Sequence, residues 1–149
     1  MRALATLETP ADASAVVSQL GRYSEDAILR FGEGLIGFND CKSFVLLESE
    51  DIAPFRRLQS TERDDVGFLV LDTAYLTKEF LSLVPEREWE SIGLTDSAAR
   101  LAFVICIIGP TPAESTGNLQ APLIINYANM TGRQVILGDT EFSSRHPLV

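Results

Sequence analysis

The sequence is short of the side chains on which most catalytic and metal sites depend. It contains one histidine, His146, and two cysteines, Cys41 and Cys106, which stand far apart without a metal-binding spacing. Zinc needs a full set of such ligands, and nucleophilic catalysis usually needs a base, most often histidine, held against a serine or cysteine. Glycine-rich phosphate loops and acidic calcium loops are also missing. We therefore expect no enzyme, no metal site and no cofactor.

Positive charge is scarce as well. The 149 residues carry 12 lysines and arginines against 21 aspartates and glutamates, which gives a net charge of −9. A protein that binds nucleic acid needs a basic surface to displace the counterions of the phosphates, so direct binding of RNA or DNA is not expected. An acidic surface favours encounter with a basic protein partner, although negative charge also serves solubility alone.

Long apolar runs are lacking too. The longest, Leu101 to Ile108, is far too short to cross a bilayer. The first residues contain no basic segment followed by an apolar core, as a secretory signal would. Two isolated cysteines suit a reducing compartment. The sequence therefore predicts a cytoplasmic protein that does not enter the membrane.

Short apolar segments between turn residues are what the sequence does have, and this pattern is typical of an all-β sandwich or barrel. Several are nearly continuous apolar runs, which places them in the middle of the core. The chain length predicts one domain over residues 1–149, with a loose N-terminal tail over about residues 1–10. The predicted strands are Ala27–Phe31, Ser43–Leu47, Phe55–Ser60, Gly67–Asp72, Leu101–Ile108, Leu123–Tyr127 and Gln134–Leu137.

Local signals also mark the connections. Pro85–Ile92 is predicted to be a short helix, because proline suits the first helical turn and Gly93 can end it with a positive φ. Between the last two predicted strands, Asn129 and Gly132 tolerate positive φ, which predicts a hairpin. Residues 9–23 fit a short helix and a first strand equally well.

Two stretches are more specific than ordinary β-structure. Residues Phe31–Phe38 read F-G-E-G-L-I-G-F, and Asn118–Asn126 read N-L-Q-A-P-L-I-I-N. Between them lie Phe44–Glu48, which reads F-V-L-L-E, and a proline-led segment, Pro54–Ser60, which ends in L-Q-S. In their order and spacing these motifs resemble the FliW family, from about Glu25 to the end of the chain.

The chain also departs from that family pattern in places. Gly32 stands where the family signature has proline, and Arg57 occupies a strand position that is usually apolar or aromatic. Val84 precedes the predicted helix, where the family often has serine or aspartate.

The resemblance implies a mainly-β fold, a small antiparallel β-barrel with one short helix at about Pro85–Ile92. It also implies a protein-binding regulator without catalysis, whose partners are flagellin and the translational regulator CsrA. Such a regulator would bind newly made flagellin and, by partner exchange, antagonise CsrA, a basic RNA-binding dimer, away from its RNA surface. The alternative from the residues alone is a small-molecule-binding β-barrel with a sizeable apolar cavity.

Candidate partner-binding residues follow from this reading. Leu35 and Ile36 lie inside the glycine-rich turn, where they either fill the core or expose apolar side chains to an amphipathic helix of flagellin. Asn118, Gln120 and Asn126 are expected to satisfy backbone groups instead. The candidates for contact with a basic partner are the acidic residues Glu48, Glu50, Asp51, Glu62, Asp64 and Asp65.

Overall fold

The structure is a computed structural model that describes residues 5–6, 25–77, 79–111, 114–138 and 144–148. Strands dominate these residues, and one α-helix, α1, spans Glu86–Ser91. Short 3-10 turns lie at Glu25–Ala27, Thr73–Tyr75, Phe80–Leu83 and Ser97–Ala99. The strands are β1 (Ala5–Thr6), β2 (Ile28–Phe31), β3 (Ser43–Glu48), β4 (Arg56–Ser60), β5 (Gly67–Asp72), β6 (Leu101–Ile107), β7 (Thr116–Gly117), β8 (Leu123–Asn126), β9 (Thr131–Gln134) and β10 (His146–Pro147).

Strands β2 to β6, β8 and β9 close into a barrel. Consecutive strands from β2 to β6 pair antiparallel, β6 pairs with β8, and β8 pairs with β9. The ring is completed by β9 and β2, which run parallel with Arg30 opposite Thr131 and Phe31 opposite Gly132. A closed ring of an odd number of strands cannot alternate in direction all the way round. The predicted β-barrel is thus confirmed, but it is mixed and not wholly antiparallel.

Three two-residue strands extend this barrel. β1 runs parallel to the end of β3, β7 pairs with the end of β6, and β10 pairs with β7. Strands this short carry no hydrophobic periodicity, so the sequence did not reveal them. His146, the only histidine of the chain, lies in β10 opposite Gly117.

Alternate side chains of the strands fill the barrel interior. Phe31 and Phe44 meet there edge to face, with ring centroids 5.5 Å apart, a favourable aromatic geometry. The interior cluster includes Leu29, Phe31, Phe44, Leu46, Leu58, Val70, Phe103, Leu123 and Ile125. An interior filled by side chains disfavours the small-molecule alternative, which needs a sizeable apolar cavity.

A second apolar cluster lies outside the barrel, where α1 and the segment before it cover β6 and β8. Ala102, Val104 and Ile124 alternate with interior residues and belong to this outer cluster, together with Trp89 and Phe80. Both faces of β6 and β8 are therefore buried, which explains why these strands read as continuous apolar runs.

The predicted helix is confirmed over Glu86–Ser91, with Pro85 and Ile92 as the flanking cap residues and not as helical residues. Pro85 precedes the first helical residue, and Gly93 follows the last turn with a φ of 76°. The side-chain amides of Asn126 and Asn129 both donate to the Ile92 carbonyl oxygen, at 2.8 and 3.0 Å. The end of the helix is thus tied to the β8–β9 turn, and Asn126 satisfies backbone groups as the sequence predicts.

The predicted hairpin is present, but its details differ. The second strand of the hairpin is Thr131–Gln134 and not Gln134–Leu137, and the positive φ belongs to Met130, at 54°. Glycine at position 132 is required for a different reason, because an added Cβ would lie 2.5 Å from Phe31 Cζ. The turn prediction relied on Gly132 as a residue that tolerates positive φ. Glycine is needed at this position because β9 packs closely against β2 where the barrel closes.

Part of the sequence interpretation falls outside the described residues. Of the predicted loose tail over residues 1–10, the structure describes only Ala5–Thr6, which pair with Leu47 and Glu48 of β3. Residues 9–23, which fit a helix and a strand equally well in the sequence, lie wholly outside the described residues. None of the helices in the described ranges is long and apolar enough to cross a membrane.

The contact between Gly132 and Phe31 can be tested by adding one methyl group. We expect Gly132→Ala to lower the free energy of unfolding by about 1–3 kcal/mol, because the new Cβ overlaps the buried ring. Gly32→Ala is the matched control, since nothing lies within 4 Å of its added Cβ. Both substitutions lower the conformational entropy of the unfolded chain by a similar amount, so the difference between the two variants reports on the folded state. Equal urea midpoints for the two variants would contradict the packing argument.

Alkaline pH should destabilise the fold. Burial raises the pKa of the Cys106 thiol to about 12 and that of the Tyr127 hydroxyl to about 12. Above about pH 9 the unfolded chain loses protons that the folded chain keeps, so the free energy of unfolding falls as pH rises. We expect Tyr127→Phe to remove about 1 kcal/mol of that loss near pH 11. Urea unfolding from pH 8 to 11 measures this, and identical pH profiles would contradict it.

Candidate functional site

The glycine-rich loop between β2 and β3 folds into two successive tight turns. Gly34 and Gly37 have φ values of 69° and 85°, a region that glycine enters without strain. The Phe38 N–H donates to the Leu35 carbonyl oxygen at 2.7 Å and closes the second turn. At Gly34 an added Cβ would lie 2.8 Å from Asn39 Cα. The glycine-rich segment is thus a turn, as the sequence analysis takes it to be, with positive φ at Gly34 and Gly37 but not at Gly32.

The two apolar residues at the centre of this loop have different environments. Leu35 is buried and belongs to the cluster inside the barrel. Ile36 points outward, with 57% of its surface exposed. Of the two alternatives left open by the sequence, core filling thus holds for Leu35, whose side chain closes the barrel interior, and exposure holds for Ile36.

An open cleft of about 540 Å³ lies beside Ile36. Its walls are the loop from residue 32 to 36, the chain from residue 131 to 136, and the residues Glu88, Ser91 and Ile92 in and after α1. We call it the loop cleft. Ile136, 70% exposed, lines it together with Ile36, so two large apolar side chains are presented to solvent in one concave surface.

Side chains from β9 hold the walls of the loop cleft together. The Arg133 guanidinium lies 3.1 Å from a carboxylate oxygen of Glu33 in the loop and 3.0 Å from one of Glu88 in α1. The Ile36 N–H donates to Gln134 Oε1 at 2.8 Å, and Gln134 Nε2 donates to the Ala121 carbonyl oxygen at 3.1 Å. The loop that carries Ile36 is therefore fixed by side chains as well as by its own turns.

The six predicted acidic residues fall into two groups. Glu48 and Glu50 line a shallow depression of about 380 Å³ near the start of β4. Arg56 Nε lies 3.7 Å from a Glu48 carboxylate oxygen, while Glu50 and its neighbour Asp51 are exposed. The first group is thus an acidic surface patch.

The second group lies in the turn between β4 and β5, where Asp64 is exposed. Glu62 Oε1 accepts the N–H groups of Lys42 and Ser43, at 2.6 and 2.9 Å, so it fixes the start of β3. Asp65 accepts from Arg63 at 2.8 Å, and this hydrogen bond holds the pKa of the Asp65 carboxyl below its usual range. Glu62 and Asp65 therefore have partners within the chain.

Some residues of the loop cleft were missed by the sequence interpretation. Ile136 and Gln134 were assigned to a predicted strand and to no site. The sequence held no local signal for Ile136, because Val135, Ile136 and Leu137 are all apolar and only the structure shows that Ile136 alone among them is exposed.

The asparagine side chains of the second motif bond to the backbone. Asn118 Oδ1 accepts the Gln120 N–H at 3.1 Å, and Asn126 Oδ1 accepts the Ala128 N–H at 3.0 Å. The expectation that these asparagines satisfy backbone groups is confirmed. They shape the segment around β8 and do not line the loop cleft.

Fold and site together define a class of protein: a small mixed β-barrel with a packed interior and an open cleft on its outer surface. The chain belongs to the FliW family. The family model described as FliW protein matches residues 17–148, which includes every barrel strand and all three walls of the loop cleft.

Individual relatives agree with this assignment. A flagellar assembly factor FliW of Leptospira interrogans serovar Lai is 38% identical over 129 residues, 86% of each chain. One from Natranaerobius thermophilus is 33% identical over 126 residues, 84% of this chain and 83% of the relative. A solved crystal structure of the flagellar assembly factor FliW superposes with a TM-score of 0.77 and 31% identity, and the match covers 85% of this chain and 88% of that one.

The hydrogen bond from Ile36 to Gln134 can be tested by amide exchange. In Gln134→Ala the Ile36 N–H loses its acceptor, and we expect its hydrogen-exchange protection to fall about tenfold. Gln120→Ala changes an exposed glutamine away from the loop and should leave that protection unchanged. Mass spectrometry or NMR of the amides gives the measurement. Unaltered protection in Gln134→Ala would show that the turns alone fix the loop.

Proposed function

We propose that this chain is a flagellar assembly factor that binds flagellin and, by partner exchange, antagonises the translational regulator CsrA. The observation that carries the proposal is the loop cleft, where Ile36 and Ile136 are both exposed beside a loop held in a fixed shape. The relatives are named flagellar assembly factors, which supports the flagellar role. The loop cleft supports the proposal that the chain performs this role by binding another protein.

The loop cleft suits an amphipathic helix. Such a helix lays its apolar face into a groove and leaves its polar flanks at the rim. Ile36 and Ile136 provide the apolar contact, and the paired charges of Glu33 and Arg133 provide a rim that can form hydrogen bonds. The terminal segments of flagellin are amphipathic helices of this kind, as the family resemblance implies.

CsrA is a basic protein, and the charge of this chain complements it. The net charge of −9 and the exposed patch of Glu48, Glu50 and Asp51 favour a fast encounter that weakens as salt rises. Glu62, Asp64 and Asp65 stay predicted contacts of the same partner. Because Glu62 and Asp65 already have partners within the chain and Glu48 lies 3.7 Å from Arg56, Glu50 and Asp51 are the stronger candidates.

The proposed activity is exchange between partners and includes no chemical step. Newly made flagellin and CsrA meet in the cytoplasm, so the chain would act there. When flagellin occupies the protein, CsrA is free to block translation of flagellin, and when flagellin is exported the protein is released to antagonise CsrA.

The flagellin site is tested by removing the exposed apolar contacts. We expect Ile36→Ser and Ile136→Ser each to weaken binding of the cognate flagellin about tenfold or more, because apolar anchors dominate such interfaces. Stability should change little, since both side chains are exposed. Leu83→Ser, an exposed leucine that does not line the cleft, is the control. Calorimetry with purified, folded proteins gives the affinities.

Two outcomes would contradict the proposal. If folded wild-type protein binds neither flagellin nor CsrA at micromolar concentration, the function is wrong. If flagellin binds equally well to wild type, Ile36→Ser and Ile136→Ser, then the function stands but the loop cleft is not the flagellin site.

A further inference from the structure

We propose that Arg133 determines which partner the loop cleft accepts, because it binds a carboxylate of that partner in place of Glu33. The carboxylate belongs to an aspartate or glutamate at the border of the apolar face of an amphipathic helix. This inference rests on the proposed function, since it concerns the cleft in which such a helix is proposed to bind. It deepens that function by naming the residue that selects the helix and the chemical group that this residue recognises.

Arg133 is the cation of the loop cleft. No other lysine or arginine stands among the described residues that line the cleft, where its charged neighbours are the carboxylates of Glu33 and Glu88. Arginine is enriched among the residues that dominate binding energy, and its guanidinium can bind a carboxylate through two parallel N–H groups. A helix that contacts Ile36 and Ile136 therefore meets a single positive charge in the same concave surface.

The two carboxylates beside Arg133 hold it in different ways. Arg133 Nε donates a hydrogen bond to Glu88 Oε1 at 3.0 Å, and the Glu88 side chain is only 18% exposed. Arg133 Nη1 lies 3.1 Å from Glu33 Oε2, and the Glu33 side chain is 72% exposed. Ion pairs exposed to this extent contribute little, whereas a partly buried charge-assisted hydrogen bond is stronger. Glu88 therefore fixes the guanidinium, and Glu33 occupies its outer side only weakly.

Exchange of Glu33 for a carboxylate of the partner costs the structure little. The loop is held by its own turns and by the Ile36 N–H, which donates to Gln134 Oε1 at 2.8 Å, so its shape does not depend on the Glu33 side chain. The charge around Arg133 stays the same, because one carboxylate replaces another. The new ion pair is covered by the bound helix, and electrostatic attraction becomes stronger where water is excluded.

Two synthetic peptides of about 16 residues, long enough to form a helix on binding, test this selection. Both have leucines on one helical face and equal numbers of glutamates and lysines, so their composition and net charge are identical. In the first peptide the glutamates border the leucine face and the lysines lie opposite, and in the second these positions are exchanged. The net charge of −9 of the chain therefore does not by itself favour either peptide.

We expect the first peptide to bind the full chain about tenfold more tightly than the second, as measured by calorimetry. In the isotope-labelled protein it should shift the amide NMR signals of Ile36 and Ile136, which shows that it occupies the loop cleft. Stronger or equal binding of the second peptide would overturn the inference. So would the absence of shifts at Ile36 and Ile136 with both peptides.

Substitutions assign the preference to Arg133. We expect Arg133→Gln to abolish the preference for the first peptide. Arg87→Gln is the matched control, because it removes the same charge from a side chain that is 78% exposed and does not line the cleft, and it should keep the preference. A preference that survives in Arg133→Gln would overturn the inference.

Glu33→Gln separates selection from a purely structural role. Arg133→Gln also removes the partner of Glu88, whereas Glu33→Gln alters an exposed side chain alone. We expect Glu33→Gln to strengthen binding of the first peptide about threefold, because it removes the competing carboxylate. If the ion pair between Glu33 and Arg133 served only to hold the loop, the same substitution would weaken binding, and that result would overturn the inference.

Binding of the cognate flagellin distinguishes failure of this inference from failure of the proposed function. We expect Arg133→Gln to weaken flagellin binding about tenfold and Arg87→Gln to leave it unchanged. If Ile36→Ser weakens flagellin binding but Arg133→Gln does not, the proposed function stands and this inference is wrong. If the folded wild type prefers the first peptide but binds no flagellin, the selection by Arg133 stands and flagellin is not the partner.

Discussion

The parallel pairing of β9 with β2 is the constraint on which the rest of the structure depends. It closes a ring with an odd number of strands, and it requires the β9 backbone to pass against the ring of Phe31 at a position where only glycine fits. Because β2 leads directly into the glycine-rich loop, the same pairing brings that loop beside the chain that follows β9. The loop cleft is therefore a consequence of how the barrel closes.

The alternation of buried and exposed positions then decides which side chains of the loop cleft face solvent. Along the chain after β9, Val135 and Leu137 are buried in the outer cluster, which leaves Ile136 facing solvent. Within the loop, Leu35 completes the barrel interior and Ile36 points out. Arg133 and Gln134 hold these two segments together, so the exposed side chains occupy a fixed relative position. A surface that is organised before binding loses less entropy when a partner arrives.

A second concave surface arises from a different part of the fold. Segments that leave β5 and β6 meet the segment that enters β4, and their apolar residues line a groove of about 500 Å³ next to Glu48 and Glu50. Neither this groove nor the loop cleft uses the barrel interior, which is filled by side chains. In this fold the packed barrel supplies stability, and the connections between strands supply the exposed concave surfaces.

The sequence by itself determined six of the seven barrel strands, the helix between Pro85 and Gly93, and the turn of the glycine-rich loop, because these depend on local backbone preferences and apolar spacing. It also determined the excess of negative charge. Tertiary structure alone decided the parallel closure, the burial of Leu35 beside an exposed Ile36, and the use of Glu62 as a backbone acceptor. Those features depend on contacts between residues far apart in the chain, which no local pattern specifies.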